Sequence, residues 1–203
     1  MRFQFDFFIK SFFEILPYIK MTLFIALASF ILSITLALII STFRMLNIRV
    51  FDKFFKVYIS FFRSTPMMAQ LFLFYFGLPQ IFPSLTRFSS MIILIIVMSL
   101  NEAAFMSEII RGAYFSVPKG QYDAAKSIGM TTGESLRHII IPQAIRIALP
   151  GLVNCTICLI KGSSIGFTVG VMDIMTAGKI IFSRTYRSME VYAAILLIYW
   201  GVV

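Results

Sequence analysis

The chain has 203 residues, of which 59% are hydrophobic and only 13% charged, with a mean hydropathy of +0.90. Soluble domains carry roughly 25% charged residues, so this composition excludes a water-soluble fold, and the length leaves no room for a soluble domain beside five spans. The net charge of +9 gathers in connections between apolar runs, as a membrane topology requires.

Residues 1–20, MRFQFDFFIKSFFEILPYIK, do not make a secretory leader. Asp6, Lys10 and Glu14 break the apolar core that such a peptide needs, and no small-residue cleavage site follows. Phenylalanines mixed with charges predict an interfacial helix in the headgroup layer, leading into the first span. Residues 21–43 carry no charge and exceed the roughly 20 residues that cross a bilayer. The connection 44–56 follows, with Arg44, Arg49, Lys53 and Lys56 against Asp52.

A second span is expected over 54–78, interrupted by Arg63 and Pro66, and a third from 88 past Glu102 toward Glu108. The connection 79–87 has one Arg and the turn marks Pro79 and Pro83, so it is placed outside. The segment from Arg111 to Arg146 adds Lys119, Lys126 and Arg137, so both basic connections are placed in the cytoplasm by the positive-inside bias. A fourth span covers 147–172. The connection 173–190 is outside by this count, in conflict with its Lys179, Arg184 and Arg187. The closing run VYAAILLIYWGVV is short for a span; either it starts near Tyr186 or the chain is cut short of its natural end, and the second is favoured. Hydrocarbon tolerates no unpaired backbone, and the alternation of barrel strands is absent, so the spans are helices.

Chemical motifs are sparse. Cys155 and Cys158 lie inside an apolar span, and the one histidine, His138, lies in another segment, so no zinc set is available; the cysteines read as packing sulfurs on one helix face. Neither G-x-S-x-G nor H-E-x-x-H occurs. GMTTGES at 129–135 lacks the lysine and spacing of a P-loop, so this chain does not bind ATP that way.

Residues 116–130, SVPKGQYDAAKSIGM, are soluble in character. Ser116 is expected to cap a helix with Pro118 in its first turn, and Gly129 to end it. Thr131 and Glu134 have capping-box spacing for a second short helix, which Pro142 should limit. Ala124 and Ala125 leave one side nearly flat, with Asp123, Lys119 and Lys126 at its rim. Two uses stay open on these grounds: a docking surface, or a surface connector whose lysines only set topology.

The spacing D-A-A (123–125), three residues, Gly129, nine residues, Ile139, one residue, Ile141 and Pro142 resembles the "EAA" loop of ABC-importer permeases, E-A-A-x3-G-x9-I-x-L-P, with Asp for Glu and Ile for Leu. FFRSTPMMAQLFLFYFGLP (61–79) is similar to the F-R-G-T-P-x-x-x-Q-L-F segment of polar amino-acid permeases, with Ser64 at the usual glycine. NEAAFMSEIIRGAYFSVPKGQ (101–121) and LPGLVNCTICLIKGSSI (149–165) match the same group, with Gly162 departing from it.

The resemblance implies an all-α membrane protein, a type I ABC-importer (MetI-like) bundle of about five transmembrane helices. It also implies a single permease domain over 1–203, with the cytoplasmic coupling loop at 112–142. Such a subunit is not an enzyme. It would sit in the bacterial cytoplasmic membrane and pair with a second permease, identical or homologous, with two ABC ATPases that use ATP and Mg, and with an external solute-binding protein. Its cargo would be a polar amino acid, cystine among the candidates; nucleic acid and a cofactor on the chain are not implied. The ATPase-coupling residues would be Pro118, Lys119, Gly120, Asp123, Ala124, Ala125, Gly129 and Pro142.

Ionisable residues within spans face protein or water and are candidate path residues. Lys161 would meet a substrate carboxylate, with Ser163 and Ser164 as donors, or else pair with a carboxylate such as Glu102. Asn101 and Glu102 would read a substrate ammonium or pair across helices. Arg63 and Thr65 flank the bend at Pro66, and Glu108 and Arg111 have the spacing of a local ion pair. A membrane-embedded enzyme and a passive channel are the rival classes.

Overall fold

The computed structural model describes residues 3–46 and 48–203; Met1 and Arg2 of the expected interfacial helix and Asn47 of the 44–56 connection lie outside the described residues. Among the described residues every regular element is helical. The helices are α1 (Phe5–Ile15), α2 (Ile19–Met45), α3 (Arg49–Ser64), α4 (Met67–Phe72), α5 (Leu78–Ile81) and α6 (Ser90–Ser116), followed by α7 (Lys119–Ser127), α8 (Thr132–Ser135), α9 (Ile141–Gly162), α10 (Ile174–Thr185) and α11 (Ser188–Val202). The stretches Phe5–Met45, Ser90–Ser116 and Thr132–Val169 are long and apolar enough to cross a membrane, and Met67–Ile81 and Ser188–Val202 are shorter apolar helices.

The expected second span is divided. Pro66 has no N–H and forces its predecessor out of the helical region, so α3 ends at Ser64 and Thr65 (ψ 144°) and Pro66 (ψ 132°) are extended before α4 begins. A wide π turn, Leu73–Gly77, then leads to α5 and Pro79.

The chain forms two compact units. The first comprises 1–31, 66–99 and 157–203. Its core is built by α1, α10 and α11 around Ile15, Ile174, Ile181, Val191 and Ile195. Gly178 lets α10 approach α11 closely: a Cβ there would lie 2.3 Å from the Ile195 side chain. One face of α1 is more than an interfacial anchor, because Phe7, Phe8 and Phe12 pack into this core, while Phe5 and Phe13 stay exposed. The expected connection 173–190 is a packed helix here, with Asp173 accepting from the Thr176 N–H at 2.8 Å as the N-cap of α10.

The second unit comprises 32–65 and 100–156. Ile40, Ile59, Phe62, Ala103 and Ala104 form its core. Small residues let helices meet closely, as membrane bundles require: a Cβ on Gly151 of α9 would lie 2.9 Å from Ile109 of α6. Arg44, with a side chain only 9% exposed, pairs with Glu108 and with Asp52 (3.5 Å), and Glu108 also accepts from Arg111 at 2.9 Å. The expected Glu108–Arg111 pair is therefore one edge of a wider network.

Candidate functional site

The soluble-looking segment lies wholly in the second unit. Ser116 does not cap α7: it is the last residue of α6, and its hydroxyl donates back to the Gly112 carbonyl at 2.8 Å. Pro118 takes the N-cap position instead, its fixed φ of −58° and ψ of 133° turning the chain into α7. At the other end Gly129 (φ +84°) donates to the Lys126 carbonyl at 2.9 Å and Met130 to Ala125 at 3.1 Å. These are the paired bonds of a Schellman end, in which glycine holds the left-handed position without a Cβ penalty.

The capping box forms as the spacing requires. Thr131 N–H donates to Glu134 Oε2 at 2.8 Å, and Glu134 N–H to Thr131 Oγ1 at 3.3 Å. These Thr131 bonds hold the Glu134 carboxyl below its ordinary value, against a weaker opposing effect of desolvation. The Tyr122 phenol is likewise lowered, first by its hydrogen bond with Thr132, 3.3 Å away.

Pro142 does not stop the second helix. Leu136–Ile140 widen into a π turn that closes through the Ile141 N–H to the Leu136 carbonyl, and the helix continues as α9. The wide turn relieves the clash and missing bond that Pro142 would impose on a regular helix.

Along α7, Pro118, Lys119, Gly120, Asp123 and Ala124 are exposed, whereas Ala125 is buried against its own unit. Lys126 lies 4.7 Å above the Tyr122 ring. Beside this face opens a cavity of about 370 Å³, with Tyr114, Phe115, Tyr122, Asp123 and Leu136 among its walls. A short helix fixed at both ends, with a flat exposed alanine and a carboxylate at its rim, can seat in a partner groove and transmit rigid motion to α6 and α9.

The path candidates fall into two places. In the second unit, the Asn101 amide donates to the Phe62 carbonyl at 3.0 Å, and the Glu102 carboxyl is in hydrogen-bonding reach of the Cys155 thiol. Arg63 lies 5.3 Å from the Phe105 ring centre, and the Thr65 hydroxyl donates to Phe61 O at 2.8 Å. In the first unit, Lys161 is exposed and makes no ion pair among the described residues. The Ser163 and Ser164 hydroxyls, expected as substrate donors, give their protons to Ile160 O (2.9 Å) and Lys161 O (2.7 Å). Ser163 is fully buried, so only Ser164, half-buried, has lone pairs to present.

Cys155 is buried and Cys158 exposed, so they do not share one packing role. Sequence reasoning missed Cys155 as the Glu102 partner, and Arg44 as a hub, which nothing in its basic, loop-edge context marks. Among the described residues no three His, Cys, Asp or Glu side chains come together as a metal site.

The described residues thus combine apolar helices long enough to cross a membrane with a polar helix, α7, fixed at both ends, the features of a multi-pass membrane protein. Residues 30–203 match the family described as the binding-protein-dependent transport system inner membrane component, and the chain belongs to that family. It is 40% identical over 203 residues to the probable amino-acid ABC transporter permease protein PatM of Vibrio harveyi, covering 100% of this chain and 91% of that one. It is 35% identical over 189 residues to the L-cystine transport system permease protein TcyL of Bacillus subtilis, covering 91% and 79% respectively. The crystal structure of an amino acid ABC transporter with histidines superposes with a TM-score of 0.91 at 32% identity, covering 100% of this chain and 93% of that one. The fold is thus the type I ABC-importer bundle, and the family is one of transport-system membrane components rather than enzymes.

Proposed function

We propose that this chain is the permease subunit of an ATP-driven importer of polar amino acids in a bacterial cytoplasmic membrane. The exposed Pro118–Ala124 face of α7, fixed by a proline N-cap and a Schellman end, carries the reading. Residues 112–142 form the coupling loop of one permease domain. Asp123 and Ala124 meet a cytosolic ATPase, and the neighbouring cavity receives a side chain from it. Lys119, Gly120 and Gly129 shape that face; Ala125 and Pro142 tie it to the bundle. A second permease, two ATPases using ATP and Mg, and an external binding protein complete the assembly.

The relatives' names support an amino-acid cargo, and cystine is a candidate on the resemblance to TcyL. Glu102, beside Cys155 in the second unit, is an acceptor for a substrate ammonium; Lys161, in the first unit, is independently a partner for a carboxylate. Ser164 serves as an acceptor, while the buried Ser163 is a packing residue behind it. Arg63 and Thr65 shape the bend, and Asn101 braces it. The test is uptake by proteoliposomes holding the assembled complex. Asp123→Lys or Ala124→Trp is expected to abolish ATP-driven uptake and loosen ATPase co-purification; unchanged transport by both variants would refute the coupling role.

A further inference from the structure

The basic residues around α10 divide into those with partners and those without. Lys179 lies 4.5 Å from the Phe167 ring centre. Arg187 sits 5.2 Å from that of Phe7 and bonds Glu190 at 3.2 Å. Lys10 and Arg184, in contrast, make no ion pair or ring contact among the described residues, and neither does Glu14 an ion pair.

These three unpaired charges line one cavity of about 110 Å³ between α1 and α10. Ser11 also lines it; that residue is 1% exposed and its hydroxyl has no hydrogen-bond partner among the described residues. A buried hydroxyl without a partner is costly and calls for a ligand or water. A second cavity of about 250 Å³ shares Glu14, Ile181 and Arg184 with the first and continues over Met172 and Ile180. Beside it, α1 shows Phe5 and Phe13 exposed by 63% and 65%, the aromatic character of a bilayer interface.

We propose that these joined cavities bind the head group of a membrane phospholipid that carries both a phosphate and an amine. Lys10 and Arg184 hold the phosphate, the Ser11 hydroxyl donates to one of its oxygens, Glu14 takes the ammonium, and the apolar wall at Met172 and Ile180 receives the glycerol end. Basic pockets among membrane helices bind lipid phosphates by the same electrostatics. The charge pattern of two cations and one anion selects a zwitterionic head group over a purely anionic one. The Met172 and Ile180 wall of the second cavity and the exposed phenylalanines favour a lipid over a soluble zwitterion.

Native mass spectrometry on the full chain, purified in detergent with whatever subunits accompany it, tests this. Phosphatidylethanolamine, phosphatidylglycerol and soluble phosphoethanolamine are the probes. Lys10, Glu14 and Arg184 are exposed, so their substitution leaves the core intact. The Lys10→Ala/Arg184→Ala double variant is expected to weaken phosphatidylethanolamine binding about tenfold. Ser11→Ala should weaken it by a smaller factor, and Glu14→Gln should bring it to the level of phosphatidylglycerol. Soluble phosphoethanolamine at matched concentration should not displace the lipid. Unchanged binding in the double variant, equal binding of the two lipids by the unaltered chain, or displacement by the soluble compound would each overturn the proposal.

Discussion

The Asn101 side-chain amide donates at 3.0 Å to the Phe62 carbonyl oxygen, the carbonyl that a helix would satisfy from residue 66. Residue 66 is proline and has no N–H. Asn101 thus replaces the missing donor at the break between α3 and α4. Asn101→Leu should cost about 1 kcal/mol, the value of one lost hydrogen bond. Asn101→Asp should be worse, because it sets an acceptor against an acceptor. Thermal unfolding in detergent reads both, and an unchanged midpoint for Asn101→Asp would refute this role.

Arg44 is shared between Asp52 and Glu108, from α3 and α6. Arg44→Met leaves Glu108 with Arg111 and Asp52 with Lys56, so it should destabilise by about 1–2 kcal/mol. The double variant Arg44→Met/Glu108→Gln should melt above Arg44→Met alone. A double variant no more stable than the single one would show that Glu108 does not depend on Arg44.

Gly129 has φ +84° and nothing within 4 Å of a Cβ, so space does not bar a side chain there. Gly129→Ala should still cost about 1 kcal/mol through the left-handed backbone alone. The chain would fold, but α7 would end in another direction. Uptake should therefore fall several-fold while the yield of folded protein holds.

The Glu134 carboxyl is held below its ordinary value by Thr131. A lowered folded value means that this contribution is fully present above the ordinary glutamate value and is lost as pH falls through the lower folded one. Amide exchange, corrected for intrinsic rate, should show residues 131–134 protected at neutral pH and unprotected in acid. Thr131→Val should abolish the difference, leaving the segment equally unprotected at both pH values.

Capping chemistry was legible because it is local. Thr131 with Glu134, and Gly129 as the left-handed end, depend on residues within one or two turns. Proline was half legible: Pro66 marks a break, but the rescue of Phe62 by Asn101 needs a contact across 39 positions. Pro142 misleads, because a wide turn lets the helix absorb it. The charges of 173–190 are not all loop charges: as a packed helix, α10 gives Lys179 and Arg187 partners in its own unit, and Arg184 alone of the three lacks one among the described residues. Ser163 and Ser164 looked like free donors because sequence does not show a helical hydroxyl folding back on its own backbone.

The wide turn at Leu136–Ile140 works as a shock absorber for one extra residue. Five residues of such a turn advance about as far around and along the axis as four residues of a regular helix. Deleting one residue from Leu136–Ile140 should therefore leave Cys155 on the side that Glu102 meets. The cost would fall on Pro142, whose ring would then face the carbonyl one regular turn back. The turn next to the docking helix thus accommodates the proline without disturbing the polar contact inside the unit.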